Sequence, residues 1–173
     1  ALAIKLEDPK GPVFFLQTRI GENGRPFRIF KFRSMFVDAD KMLDAVSTKD
    51  ENGKILVHKR ADDPRITRIG KIIRKTSLDE VPQLFNVLRG DMSLVGPRPE
   101  LPRLVNEYET WQRQRFTVPQ GITGWWQING RSDNPCHLST DQDLYYIQNY
   151  SFLLDVQILM MTVPALLKGK GAF

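Results

Sequence analysis

Two helical patterns stand almost back to back in the middle of this chain, and they restrict its fold more than any other feature. After Asp63-Pro64, the residues Ile66, Ile69, Ile72 and Ile73 fall on one side of a helix. Val81, Leu84, Phe85 and Leu88 then repeat at i, i+3, i+4 and i+7, with Arg89 in the last turn and Gly90 as a stop signal. Both apolar stripes are expected to face a core. Further helical patterns run through Leu101, Leu104, Val105, Tyr108 and Trp111, then over 141–150 and 152–167, with Ser151 placed to cap the last. Strand signals are confined to the start. The runs Val13–Gln17 and Phe27–Arg33 flank Gly21-Glu22-Asn23-Gly24, and an Asn-Gly pair between such runs predicts a hairpin. A short helix is expected over 38–45, a mobile polar loop over 47–60 with Asn52-Gly53 as its turn, and irregular backbone over 119–131. The expected class is α+β: a mostly helical single domain over 1–173, with a small N-terminal β-hairpin and amphipathic C-terminal helices.

Composition supports a folded domain. Of the 173 residues 41% are hydrophobic and 26% charged, enough to bury a core and too apolar for extended disorder. A single cysteine, Cys136, excludes an internal disulfide framework and a metal site built from cysteines. The uncharged stretch Val156–Leu167 is 12 residues long and contains Pro164, well short of the ~20 apolar residues of a membrane span. With 25 Lys+Arg against 20 Asp+Glu, the net charge of +5 favours anionic partners: nucleic acid, phosphate ligands or anionic lipid.

The chemistry concentrates at Thr76-Ser77-Leu78-Asp79-Glu80-Val81-Pro82. One reading is local. Ser77 and Glu80 have capping-box spacing, and Asp79 suits a first helical turn. The other is catalytic. Five cations, Arg65, Arg68, Lys71, Arg74 and Lys75, lead straight into two adjacent carboxylates. Arg74, Lys75 and a helix N-terminus would keep Asp79 ionised, and an ionised carboxylate can attack phosphorus. Asp79 and Glu80 together could hold Mg²⁺, which binds through one or two carboxylates plus phosphate oxygens. Elsewhere, Asp38-Ala39-Asp40 has a metal-binding spacing but falls in an expected surface helix. His58 and His137 are isolated, which argues against zinc. Lys31 and Arg33 read as strand residues at a solvated edge. Trp125 and Trp126 default to packing over base stacking.

Ordered motifs run nearly end to end: Gly11–Phe15, Phe30–Met35, Arg68–Arg74, Ser77–Leu88, Gly90–Pro99, Pro119–Arg131 and Asp143–Tyr146. On these the chain resembles the bacterial sugar transferases, the monotopic phosphoglycosyl transferases that load a phosphosugar onto a polyprenyl phosphate. The resemblance implies that Asp79 attacks the β-phosphate of a UDP-sugar and expels UMP. Polyprenyl phosphate then takes the phosphosugar from Asp79. It implies Glu80 beside the nucleophile and Mg²⁺ at the site. It also matches Arg74 to an arginine near the dyad. Arg98 in Pro-Arg-Pro and Arg131 in Asn-Gly-Arg, with Lys75, are candidates for phosphate contacts, for which arginine is suited. An ion pair bracing the proline segment is the other reading of Arg98.

The resemblance further implies work at the cytoplasmic face of the inner membrane, in capsule, exopolysaccharide, O-antigen or glycoprotein assembly. Residues 1–6 read as the remnant of a membrane-entering helix that the family carries upstream. The 153–167 helix, with Lys168 and Lys170, is either an interfacial contact or a core element. A homodimer is compatible with this reading, and nucleic acid is not expected as a partner. Two alternatives remain: a basic nucleic-acid-binding module, and an inactive fragment that retains only donor binding. The sugar is not legible.

Overall fold

The computed structural model describes residues 1–39, 42, 47–49, 55–57, 63–129 and 139–167. It has the expected mixed α+β character. The chain divides into two compact units. Among the described residues, one comprises 1–15 and 32–79; the other comprises 16–31 and those between 80 and 167. The crossings fall within the N-terminal hairpin and at the Asp79–Glu80 peptide bond.

In the first unit, helix α1 (Leu2–Glu7) packs on helix α2 (Arg68–Lys75). Helix α2 has no acidic residue in its own first turn. Its orphan N–H groups are satisfied by other parts of the chain. Thr67 caps it by accepting from Gly70 N at 2.9 Å. Glu7 reaches across from α1 and accepts from Arg68 N at 2.7 Å and Ile69 N at 2.9 Å. Burial opposes ionisation of Glu7, but these N–H donors hold its carboxyl below the usual value. Ile66 is buried, as the periodicity predicts, whereas Ile72 is exposed. The backbone of Ser34 lies so close to α2 that a Cβ at Gly70 would collide with the Ser34 carbonyl. That carbonyl accepts from Thr67 N at 3.1 Å. Arg33 is not at a solvated edge. It is buried and donates to Asp8 Oδ2 at 2.7 Å and to the Asp8 carbonyl at 2.5 Å. Where a loop is expected over 47–60, strands β3 (Ser47–Lys49) and β4 (Ile55–Val57) pair antiparallel, with Thr48 opposite Leu56. Asn52-Gly53 and most of the expected 38–45 helix lie outside the described residues.

The hairpin forms as predicted. Strands β1 (Phe14–Ile20) and β2 (Pro26–Phe32) make a two-stranded sheet. They are joined through Glu22–Gly24, where Asn23 (φ 55°) and Gly24 (φ 73°) are left-handed.

The second unit holds most of the helices. Strand β5 (Ser93–Val95) pairs in parallel with β6 (Gly121–Thr123). Around this pair stand helices α3 (Leu84–Leu88), α4 (Pro102–Asn106), α5 (Trp125–Asn129), α6 (Thr140–Gln148) and α7 (Phe152–Leu167). Val95, Tyr146 and Ile158 centre one core, with Val118, Trp125, Ile128, Ile147 and Leu154 against them. Val105, Tyr108 and Phe116 centre another. Helix α7 spans the predicted residues, and Ser151 Oγ accepts from Leu154 N at 3.3 Å, as an N-cap should. Two expectations need correction. The segment 119–131 contains β6 and α5, with Trp126 buried. The helix expected through Trp111 stops at Asn106, and Trp111 is exposed, its indole donating to Glu109.

The largest correction concerns α3 and the turn before it. Val81, Leu84, Phe85 and Leu88 point outward, Leu88 at 84% exposure, while Asn86 is 0% exposed. The inversion has a local cause. Asn86 Oδ1 accepts from Phe30 N at 3.0 Å, and its Nδ2 donates to Arg28 O at 2.8 Å. One amide therefore satisfies the outer edge of β2, where two part-buried backbone groups would otherwise lack these partners. Asn86→Ala is expected to cost about 3 kcal/mol by orphaning both groups. That is a fall of roughly 6–12 °C in melting temperature for a chain of this size. A variant that melts like the parent would remove this clasp from the fold.

Candidate active site

The proline at position 82 decides the local backbone of the dyad. An α-helix begun at Leu78 would need the N–H that Pro82 lacks. Leu78–Gln83 instead winds as a 3₁₀ turn with Pro82 inside it. Ser77 does not serve as the N-cap of a capping box. It sits left-handed (φ 55°) just past α2, with its N–H on the Arg74 carbonyl at 3.0 Å. That is the position and bond of a helix C-terminal cap, usually filled by glycine. Thr76 closes the same end by donating to Ile72 O at 2.9 Å. The dyad thus follows the end of a basic helix, where its last-turn cations lie.

In the first unit, Arg74 donates Nε–H to Ser34 Oγ at 3.0 Å. Burial is the largest influence on Arg74 and lowers its pKa, while the carboxylates of Asp79 and Asp63 oppose that. Asp79 is half-buried and lies within electrostatic reach of Arg74. Asp63 also holds Arg65, through Nε at 3.0 Å and Nη2 at 2.7 Å. Two of the five cations expected to form a basic face are therefore drawn inward. Arg68, Lys71 and Lys75 remain exposed. Lys75 was a candidate phosphate contact, and it projects from the last turn of α2.

In the second unit, Glu80 is buried and does not reach back to cap a helix. Arg98 Nη2 stands 2.5 Å from its Oε1 and Nη1 3.5 Å from its Oε2; Lys31 Nζ donates to Oε1 at 2.9 Å. Burial pushes the Glu80 carboxyl upward, but Arg98 and then Lys31 outweigh it and hold the group well below the usual carboxylate range. Of the two readings of Arg98, the ion pair is the one observed, and its partner is the dyad glutamate. Lys31 corrects the solvated-edge reading. It sits near the end of β2, the strand that Asn86 clasps, so its place opposite Glu80 comes from that docking. Periodicity along β2 carries no sign of it. Lys31 and Arg98 are both residue types that bind phosphate, Arg98 as a planar fork and Lys31 as a point charge.

Among the described residues no group of three or more His, Cys, Asp or Glu could hold a metal ion. The dyad supplies hard oxygen donors, the right chemistry for Mg²⁺, but only with phosphate oxygens completing the set. Arg131, Asp40, His58, Cys136 and His137 lie outside the described residues.

A family model described as Bacterial sugar transferase matches residues 1–169. The chain belongs to the bacterial sugar transferase family. It is 46% identical over 164 residues to the galactosyl transferase CpsE of Streptococcus agalactiae, an alignment that covers 94% of this chain and 36% of that protein. It is 45% identical over 185 residues to the undecaprenyl-phosphate glucose phosphotransferase of Komagataeibacter xylinus, covering 100% and 32%. It is 42% identical over 178 residues to the UDP-N-acetylgalactosamine-undecaprenyl-phosphate N-acetylgalactosaminephosphotransferase of Aeromonas hydrophila, covering 99% and 39%. The chain thus spans 32–39% of the length of these relatives.

Proposed function

We propose that this chain carries the catalytic residues of a phosphoglycosyl transferase, which moves a sugar phosphate from a UDP-sugar to a polyprenyl phosphate. The observation that carries the reading is the convergence of Arg98 and Lys31 on Glu80, the peptide-bonded neighbour of an aspartate that faces Arg74. An Asp79 carboxylate oxygen attacks the β-phosphorus. The bond from that phosphorus to the bridging oxygen breaks, and UMP leaves with the electron pair. Polyprenyl phosphate then attacks the same phosphorus. The bond to Asp79 breaks, and the carboxylate is restored as polyprenyl-diphosphate-sugar departs. Two displacements let a water-soluble donor and a lipid acceptor use one nucleophile in turn. Arg98, Lys31 and Arg74 would offset charge as it moves on the phosphates, and the fixed position of Arg98 spares reorganisation during the step. Mg²⁺, held by Asp79 with donor oxygens, and by Glu80 in exchange for part of its contact with Arg98 and Lys31, would add charge neutralisation. Incubation with a panel of UDP-sugars and Mg²⁺, without lipid, should release one UMP per chain and leave a sugar phosphate on the protein. Chelation should prevent both. The relatives' names carry galactose, glucose and N-acetylgalactosamine, so the sugar is an outcome of the panel.

The same reading calls for a membrane surface, and one feature supports it. Among the described residues no helix is long and apolar enough to cross a membrane. Yet α7 exposes Phe152 (80%), Leu153, Met160 and Val163, while only Ile158 is fully buried. A groove of about 560 Å³, lined by Val87, Leu94, Phe152, Val156 and Leu159 among others, joins this face to the residues around α3. Such a surface suits an interface between headgroups and acyl chains. Replacing Leu153 and Met160 with Glu should lower flotation with anionic phosphatidylglycerol vesicles at least about tenfold, given ~1.5–3 kcal/mol per buried side chain. Equal flotation would remove the membrane contact from α7.

A further inference from the structure

The segment that carries Arg98 has an unusual backbone problem. Pro97 and Pro99 have no N–H, so Pro97–Glu100 can be tied down mainly through its carbonyls. All four are used. Pro97 O accepts from Gly121 N at 2.9 Å, and Glu100 O from Ile20 N at 2.9 Å. Pro99 O accepts from Arg19 Nη1 at 3.3 Å. Arg98 O, on the residue that grips Glu80, accepts from Arg115 Nη2 at 3.0 Å.

The donor at that carbonyl is costly. Arg115 is 0% exposed, in the 3₁₀ segment Gln112–Phe116. Its guanidinium lies against the Tyr108 and Phe116 rings, 5.7 and 5.8 Å from their centroids. It donates to Tyr108 Oη at 2.6 Å and stands 2.7 Å from Asp143 Oδ2 on α6 and 3.8 Å from Glu100 Oε2. A buried ion pair of this kind seldom stabilises a fold beyond what apolar packing would do. A neutral donor would satisfy a carbonyl equally well. What the charged fork adds is one rigid group fixed at several points, with an edge on Arg98.

We propose that Arg115, held by Asp143, is a positioning residue that locks the Arg98 backbone so that its guanidinium stays on Glu80. This rests on the reading that Arg98 and Glu80 serve phosphoryl transfer. Asp143 makes the lock sensitive to acid. Burial pushes its carboxyl up to about 6 against the pull of Arg115, and Glu100 and Asp141 push the same way. Protonation of Asp143 near pH 6 removes the nearer of the two carboxylates that face Arg115, leaving Glu100 at 3.8 Å, and loosens the lock.

The test compares the parent with Asp143→Asn and Arg115→Lys, the latter keeping the charge but losing the fork. The first measurement is exchange of the Arg98 Nε–H by NMR at pH 7.5, read beside the backbone amides of the cores. Exchange at Arg98 should quicken at least tenfold in both variants while core amides stay protected. The second is UMP release against pH. The parent should lose rate through an inflection near pH 6. Asp143→Asn should be slower at pH 7.5 by roughly 10- to 100-fold, as for a group misplaced by about 1 Å, and show no inflection there. Unchanged Arg98 exchange in folded variants overturns the inference whatever the turnover. Faster exchange without any UMP release by the parent would support the lock and instead overturn the proposed reaction.

Discussion

Asp79→Asn should abolish the covalent sugar phosphate and lower UMP release at least about a thousandfold. The amide has no anionic lone pair for attack on phosphorus, and no second carboxylate can take over without losing its own partners. Glu80 is the nearest candidate in sequence, and its Oε1 is engaged by both Arg98 and Lys31. The effect should be chemical rather than structural. Asp79 is half-buried and its charge acts on Arg74, which keeps Asp63 as a second anionic neighbour. Melting temperature should therefore shift by only a few degrees, the size of a change worth about 1 kcal/mol. Intact-mass measurement after incubation with donor separates the outcomes. Parent protein heavier by one sugar phosphate and an unmodified variant support the assignment. A variant that still acquires the mass would place the nucleophile elsewhere.

Glu80→Gln should damage both stability and turnover, and the stability loss should depend on pH. The folded-state pKa of Glu80 lies well below its ordinary value of 4.5. Its contribution is then fully present above about pH 4.5 and lost as pH falls through the folded value. At neutral pH the variant leaves two cations facing a neutral amide. Breaking a buried pair in this way costs about 3 kcal/mol, or roughly 6–12 °C in melting temperature. As pH falls from 4.5 towards the folded value the parent progressively loses the same interaction, so the two melting temperatures should converge only at the acid end of that range. Turnover should fall about a hundredfold at neutral pH, because Arg98 and Lys31 lose the carboxylate that positions them. Equal melting temperatures at pH 7 would show that the cluster contributes nothing to the fold. Retained turnover would remove Glu80 from the reaction.

Much of this molecule is legible locally. The hairpin is written in two apolar strands around Asn23-Gly24, and α7 in an unbroken run begun by Ser151. The dyad and the basic helix before it are contiguous, so their chemistry can be read from neighbours in the chain. Other readings fail for identifiable reasons. The stripe from Val81 to Leu88 has the period of a core-facing helix, but period cannot say which side meets the core. Asn86 decides that, since the edge of β2 needs its amide more than the core needs four apolar side chains. Arg65 is counted among five cations leading into the dyad, yet its own partner is Asp63, two residues before it. Ser77 and Glu80 have capping-box spacing, yet Pro82 and the left-handed Ser77 turn that spacing to another purpose.

What the sequence by itself determined is the family, through motifs ordered along the chain, and the place of two adjacent carboxylates behind a basic helix, which is a local fact. What only the tertiary structure decided is which cations serve that pair. Lys31 lies 49 residues before Glu80 and Arg98 lies 18 after it. Neither distance has a period or a turn signal to reveal it. The pairing exists because a strand edge docks on Asn86, and because four carbonyls of a proline-bound segment are each held from behind. Short-range rules act over one turn or one pleat. Charge convergence at a buried carboxylate acts through space, and it is set by burial, where an unpaired charge costs most.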